Sequence, residues 1–222
     1  MTKEATDFLY PFIEADERDA TSLLDDLARS AAGKWSQSGT LRTATLTACE
    51  QQLRTVAAAM AARFAAGGQL FSFGNGGSAT DADGLAQLFT KPPEGTPLPA
   101  RSLAADQAVL TALGNDVGFD KVFSRQLIAH ARPNDMAVGY STSGNSENLL
   151  VAFTEAHKRG VLTVGLAGYD GGQMARCEAL EHCIVARSDS VHRIQETQAA
   201  LAHVLWGYVQ DALQSHDGKE SL

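Results

Sequence analysis

The sequence predicts an α/β fold built on a mainly parallel sheet. Two observations carry this. Short apolar runs alternate with helical patterns along most of the chain, which is the rhythm of strand–helix–strand units. Two loops of one kind also recur, Gly74-Asn75-Gly76-Gly77-Ser78 and Ser141-Thr142-Ser143-Gly144-Asn145-Ser146, each after an apolar run and before a helix. The 222 residues, 44% hydrophobic and 20% charged, make an ordinary folded chain that can bury a core without staples.

Residues 1–30 are acidic and amphipathic. Phe8, Leu9, Phe12 and Ile13 alternate with acids, and Leu23, Leu24 and Leu27 fall at helical spacing, so one or two helices broken near Pro11 are expected. Residues 31–40, AAGKWSQSGT, are rich in Gly and Ser and read as a connector. A long Ala-rich helix follows, capped near Thr40 and ended by Gly67-Gly68. The run 69–73 is a strand entering the first loop, and Leu85–Phe89 lies in the helix after it. A Pro-rich loop spans 91–99. A strand at 100–104 and a helix or turn from Asp106 come next. Residues 135–140 form a strand entering the second loop. A helix at 148–160, strands at 161–168 and 182–186, and a final helix from Val191 complete the order. The expected organisation is an N-terminal helical extension (1–35), one domain (36–215) and a loose tail (216–222).

Several classes are excluded or disfavoured. Eighteen Lys and Arg against 26 Asp and Glu give a net charge of −8, which disfavours nucleic-acid binding by bulk positive charge. No apolar run reaches the roughly 18–20 residues of a membrane span. The N-terminus lacks the basic and apolar regions of a secretory signal, so a cytoplasmic protein is expected. Cys49, Cys177 and Cys183 form no CxxC pair, and they read as small half-buried side chains in a reducing compartment.

The two loops carry the chemistry. Ligands of open α/β sheets bind where strands end and helices begin. There, glycine lets the backbone approach a ligand, and first-turn N–H groups with the helix dipole attract an anion. Ser and Thr hydroxyls add hydrogen bonds, each worth roughly 1.5–3 kcal/mol to a charged acceptor. Four hydroxyls in Ser141–Ser146 suit a phosphate monoester, so an acidic protein can hold phosphate without Lys or Arg. The first loop also fits a relaxed dinucleotide fingerprint, Gly74-x-Gly76-x-x-Ala79. That motif wants an acid at the end of a second strand about 20 residues on, where only Glu94 in a loop is available.

In order, GNGGS, GND with GF (Gly114 to Phe119), STSGNS, DGG (Asp170 to Gly172) and RIQE (Arg193 to Glu196) resemble the SIS (sugar isomerase) domain. More narrowly they resemble bacterial phosphoheptose isomerases, over roughly residues 40–213. The resemblance implies a three-layer αβα sandwich around a five-stranded parallel sheet, and a homotetramer or homodimer with sites at subunit interfaces. It implies conversion of sedoheptulose 7-phosphate to D-glycero-D-manno-heptose 7-phosphate, an aldose–ketose isomerisation. By resemblance, Ser78, Ser141, Thr142, Ser143 and Ser146 hold the phosphate beside Gly76 and Gly77. Asn75, Asp116 and Gln195 contact the sugar, and His203 is the catalytic histidine.

The chain departs from the pattern at the acid–base pair. The family's partner Glu falls on Leu88, a His four residues earlier falls on Gly84, and an Arg falls on Pro92. Two of four potential zinc ligands are therefore lost: no metal or other cofactor is expected from these residues, and zinc stays open by the resemblance alone. Asp83 is a candidate substitute base, whereas Asp81 matches an acid found in many family members. Two readings stay open: an isomerase using His203 with a replacement base, or a non-catalytic sugar-phosphate-binding regulator. The DnaA-binding initiation-associating proteins, a related SIS subgroup, also lack the Glu and act by protein binding. The N-terminal extension is a candidate docking arm for a protein partner.

Overall fold

The structure is a computed structural model that describes residues 20–220. The chain divides into two compact units, Met1–Thr40 and Leu41–Leu222. The expected break near Pro11 lies outside the described residues.

The first helix, α1, runs unbroken over Ala20–Ala65. The connector expected at 31–40 is helical, and Thr40 lies inside the helix rather than at its cap. The stretch holds no proline, and its two isolated glycines cost only about 1 kcal/mol each relative to alanine. A helix already nucleated on both sides propagates through that deficit. Within the first unit the described side chains of α1 are mostly exposed, including Leu24 and, at 80% exposure, Trp35. As expected, α1 stops at the glycine pair. Gly67 has φ +79°, and Gly68 N–H donates to the Arg63 carbonyl at 2.9 Å, closing a Schellman-type end.

In the second unit five strands form one sheet: β1 Leu70–Gly74, β2 Ala100–Ser102, β3 Met136–Ser141, β4 Leu162–Gly168 and β5 His182–Ala186. The order is β2-β1-β3-β4-β5, with every pairing parallel. Register runs Gly74↔Tyr140 between β1 and β3 and Tyr140↔Leu166 between β3 and β4. The helices are α2 Gly77–Thr90, α3 Gln107–Asp116, α4 Val122–His130, α5 Glu147–Lys158 and α6 Val191–Glu220.

The central strands β1, β3 and β4 are buried along their whole length because both faces are covered. One face packs Leu70, Val138, Tyr140, Leu166 and Ile184 under Met60 of α1, Leu85 and Phe89 of α2 and Leu201 and Leu205 of α6. The other packs Phe71, Phe73 and Ala137 under Phe123 and Leu127 of α4 and Phe153 of α5. This is the three-layer αβα sandwich that the resemblance implies. Two details differ from expectation. Helix α4 went unread, although Val122, Phe123, Gln126 and Leu127 are all buried at helical spacing. The last helix continues to Glu220, past the boundary drawn at 216. Among the described residues no helix is long and apolar enough to cross a membrane.

Candidate phosphosugar site at the switch point of the sheet

The strand order fixes where the site lies. Strand β1 is followed by α2 and β2 on one side, while β3 is followed by α5 and β4 on the other. The chain thus turns away in opposite directions after two adjacent strands, and a crevice opens at their carboxyl ends. Both loops singled out in the sequence leave those two strand ends.

The loops are tied together by an amide pair. Asn75 Nδ2 donates to Asn148 Oδ1 and Asn148 Nδ2 donates to Asn75 Oδ1, both at 2.9 Å. Asn148 stands in the first turn of α5 and is buried. Sequence reasoning assigned Asn75 to the sugar and missed Asn148, whose one signal was a polar residue on an otherwise apolar helix face.

The second loop is a hydroxyl cluster. Ser141 Oγ lies 3.0 Å from Ser146 Oγ and 3.4 Å from Ser143 Oγ, and it accepts from Gly144 N–H at 3.1 Å. Ser143 Oγ accepts from Asn145 N–H at 3.2 Å. Gly144 has φ +65°, and an added Cβ would stand 2.1 Å from the Gly171 carbonyl oxygen. Only glycine fits there, because the loop presses on the Asp170–Gly172 turn. Met174 N–H donates to the Gly144 carbonyl and Gln173 N–H to Asn145 Oδ1, both at 2.9 Å. The DGG motif is therefore the bracket that holds the second loop. Thr142 is half-buried, its carbonyl against Gly168.

The first loop gives α2 a glycine N-cap, Gly76, with φ 54° and no side-chain cap. Helix α5 begins at Ser146, which likewise makes no side-chain cap bond. Two helix starts without side-chain caps thus face one crevice, an arrangement suited to an anion. Buried Ser78 lies in the first turn of α2, its N–H donating to the Asn75 carbonyl at 3.0 Å.

Helix α6 brings Gln195 to the first loop. A Cβ added at Gly77 would stand 2.2 Å from Gln195 Nε2. Beside it, burial raises the Asp81 carboxyl above the usual carboxylate range, and a hydrogen bond from Gln195 opposes that rise. Asp81 Oδ2 and the Tyr140 hydroxyl are buried without hydrogen-bond partners. Burial, and then the nearby Asp81 charge, push the Tyr140 hydroxyl far above its ordinary value. Three helix positions on, Gln198 Nε2 donates to the Leu166 carbonyl at 3.0 Å.

The remaining candidates are not drawn into this cluster. Asp116 ends α3, exposed, and accepts from Asn115 Nδ2 at 2.8 Å. His203 is exposed on α6 with its ring 5.3 Å from that of Trp206. It lies eight residues past Gln195, about 12 Å along the helix. Leu88 packs half-buried against the first core cluster, and a cavity of about 590 Å³ is lined by Gly84, Gln87, Leu88, Thr90 and Lys91. Gly84 and Leu88 offer no donor atoms. Among the described residues no three His, Cys, Asp or Glu side chains are grouped to hold a metal ion.

A five-stranded parallel sandwich with paired Gly/Ser loops at its switch point defines a SIS-domain protein, and the SIS domain model matches residues 35–168. The chain belongs to this family and, within it, to the phosphoheptose isomerase relatives. The phosphoheptose isomerase of Rhodospirillum rubrum is 44% identical over 171 residues, 75% of this chain and 89% of that protein. The one from Aquifex aeolicus is 41% identical over 165 residues, 72% of this chain and 84% of that one. The solved phosphoheptose isomerase from Neisseria gonorrhoeae superposes with a TM-score of 0.78 at 33% identity, over 83% of this chain and 99% of that one.

Proposed function

We propose that the switch-point crevice binds a ketose phosphate of the phosphoheptose class, sedoheptulose 7-phosphate first among them. The phosphate lies among Ser78, Ser141, Thr142, Ser143 and Ser146 with the Gly76 and Gly77 backbone, and the sugar extends towards Asn75, Gln195 and Asp116. The observation that carries this reading is the Ser141–Ser143–Ser146 hydroxyl cluster, latched to the first loop by the Asn75–Asn148 pair. Isomerisation of such a ketose moves a proton between neighbouring carbons and needs an acid and a base at the reacting atoms. His203 supplies one such group.

A second reading, binding without turnover, is favoured by Leu88. The position of the family's partner acid is apolar and packed on the core. The deciding experiment is turnover of sedoheptulose 7-phosphate by the purified protein, with His203→Ala and a thermal-shift measurement beside it. Aldose product that disappears in His203→Ala establishes the isomerase. A thermal shift without product establishes the binding protein. Neither effect overturns the heptose reading.

The same proposal places the protein in the cytoplasm as a self-associating one. Leu24, Leu27 and Trp35, exposed on α1, support self-association or a protein partner on the N-terminal helix. Light scattering of the full chain beside a 1–30 deletion, with a partner-binding assay, separates the two: loss of the oligomer supports the first, an intact oligomer with lost partner binding the second.

A further inference from the structure

We infer that Asn148 is a positioning residue of this site: it takes the paired edge of the Asn75 carboxamide, so that Asn75 meets the ligand at a fixed angle and the two loops grip it at a fixed span. The inference rests on the phosphosugar reading of the crevice and deepens it. Asn75 is left to make single hydrogen bonds to the sugar, and the amide pair becomes part of the phosphate grip.

Asn75 is the first residue beyond β1, and Asn148 is the second residue of α5. The two bonds, both 2.9 Å, run in opposite directions between the same two amides. A carboxamide has two N–H donors and two acceptor lone pairs. The pair uses one of each on both residues, along the edge where oxygen and N–H lie side by side. Asn75 keeps one N–H on one flank and one lone pair on the other. It therefore offers the sugar one bond on each flank and cannot close on a diol with its paired edge.

Both backbones are pinned by helix starts. The Asn75 carbonyl accepts from Ser78 N–H at 3.0 Å, and the Ser146 carbonyl accepts from Leu149 and Leu150 N–H at 3.1 and 3.2 Å. The freedom left to each asparagine is its side-chain torsions, and the terminal one is broad and roughly two-fold. Turning one amide alone sets N–H against N–H and oxygen against oxygen, so the pair holds both. Asn148 is 3% exposed and Asn75 half-buried. The buried partner therefore holds, and the one at the crevice is held. Ser78 lies three residues past Asn75 and Ser146 two before Asn148, so the same pair ties the hydroxyls of one loop to those of the other.

A double-mutant cycle tests this. Asn148→Ala is expected to weaken sedoheptulose 7-phosphate and inorganic phosphate binding, each by up to about tenfold. The variant lacking both asparagines is expected to be no weaker than Asn75→Ala alone. Asn148→Asp supplies a conditional rescue. An ionised carboxylate only accepts, so it sets its charge against the Asn75 oxygen; protonated, it donates one O–H and accepts at the other oxygen, which rebuilds the pair. Burial raises such a carboxyl. The affinity of Asn148→Asp, taken as a ratio to wild type at each pH so that the ligand's own ionisation cancels, should recover between about pH 8 and about pH 5. Losses that add in the double variant, wild-type affinity in Asn148→Ala, or an Asn148→Asp ratio constant with pH overturn the inference. Melting temperatures identify any variant that fails to fold.

A second readout does not depend on the ligand. In the ligand-free protein, the bonded Asn75 side-chain proton should exchange slowly with water by NMR, and fast in Asn148→Ala. Equal exchange in the two overturns the positioning role. Protection lost in Asn148→Ala, in a protein that binds inorganic phosphate but not sedoheptulose 7-phosphate, upholds that role and removes only the choice of sugar.

Discussion

Replacing Gly77 by alanine places a methyl carbon 2.2 Å from Gln195 Nε2 and 3.2 Å from its Cδ. Non-bonded heavy atoms sit comfortably at about 3.5–4.0 Å, so the amide has to retreat by more than an ångström. The atom that moves is the far end of a long side chain, at a cost of about 0.5–1.5 kcal/mol for an off-rotamer torsion. Alanine in a helix returns up to about 1 kcal/mol relative to glycine. The two nearly cancel. With about 2–4 °C per kcal/mol for a chain of this size, the melting temperature should stay within about 2 °C of wild type. Ligand binding does not share the cancellation. Losing one neutral hydrogen bond costs about 0.5–1.5 kcal/mol, a roughly two- to twelve-fold drop in affinity. Calorimetric titration with sedoheptulose 7-phosphate, beside differential scanning calorimetry, reads both numbers. Unchanged affinity in a folded variant would refute the contact between Gln195 and the ligand. A melting point lowered by more than about 5 °C would show that Gly77 serves the backbone rather than the amide.

Three further outcomes are expected. Gly144→Ala forces a left-handed residue against the Gly171 carbonyl, so it should cost about 1–3 kcal/mol and weaken inorganic phosphate binding, as calorimetry would show. Asn148→Leu leaves the Asn75 amide without its partner and should cost about 1–3 kcal/mol, seen in denaturant unfolding; a stability equal to wild type would refute the latch. Asp81→Asn should raise the melting temperature at neutral pH. Burial lifts the folded carboxyl above its ordinary value, so the wild type regains stability as pH falls through that raised value. The gap between variant and wild type should therefore shrink on acidification from neutral pH; a gap constant with pH would count against it.

The parallel sheet was legible because the three central strands are wholly buried and read as apolar runs, and both loops announced themselves through Gly and Ser. The continuity of α1 was not. A Gly/Ser-rich decade looks like a linker locally, and helical propagation from both flanks overrides it. Helix α4 escaped because its nine residues give too short a period to stand out. Within the site, the loop residues could be named one by one from their motifs. The residues that hold them could not, since Asn148 and Asn145 act across 73 and 28 positions of sequence, on Asn75 and Gln173. Those pairings exist only once β3 lies between β1 and β4.

The cradle proposed for the phosphate is built from hydroxyls, amides and helix ends, and neither Gly74–Ser78 nor Ser141–Ser146 contains a Lys, Arg or His. The loops proposed to grip the anion therefore hold no side chain that titrates between pH 5 and 8. The acidity of the bound group itself becomes the variable: a phosphate monoester takes its second charge near pH 6, and dipoles favour the dianion. On that proposal the cradle is a meter of the ligand's own ionisation, with a pH response set by the sugar phosphate.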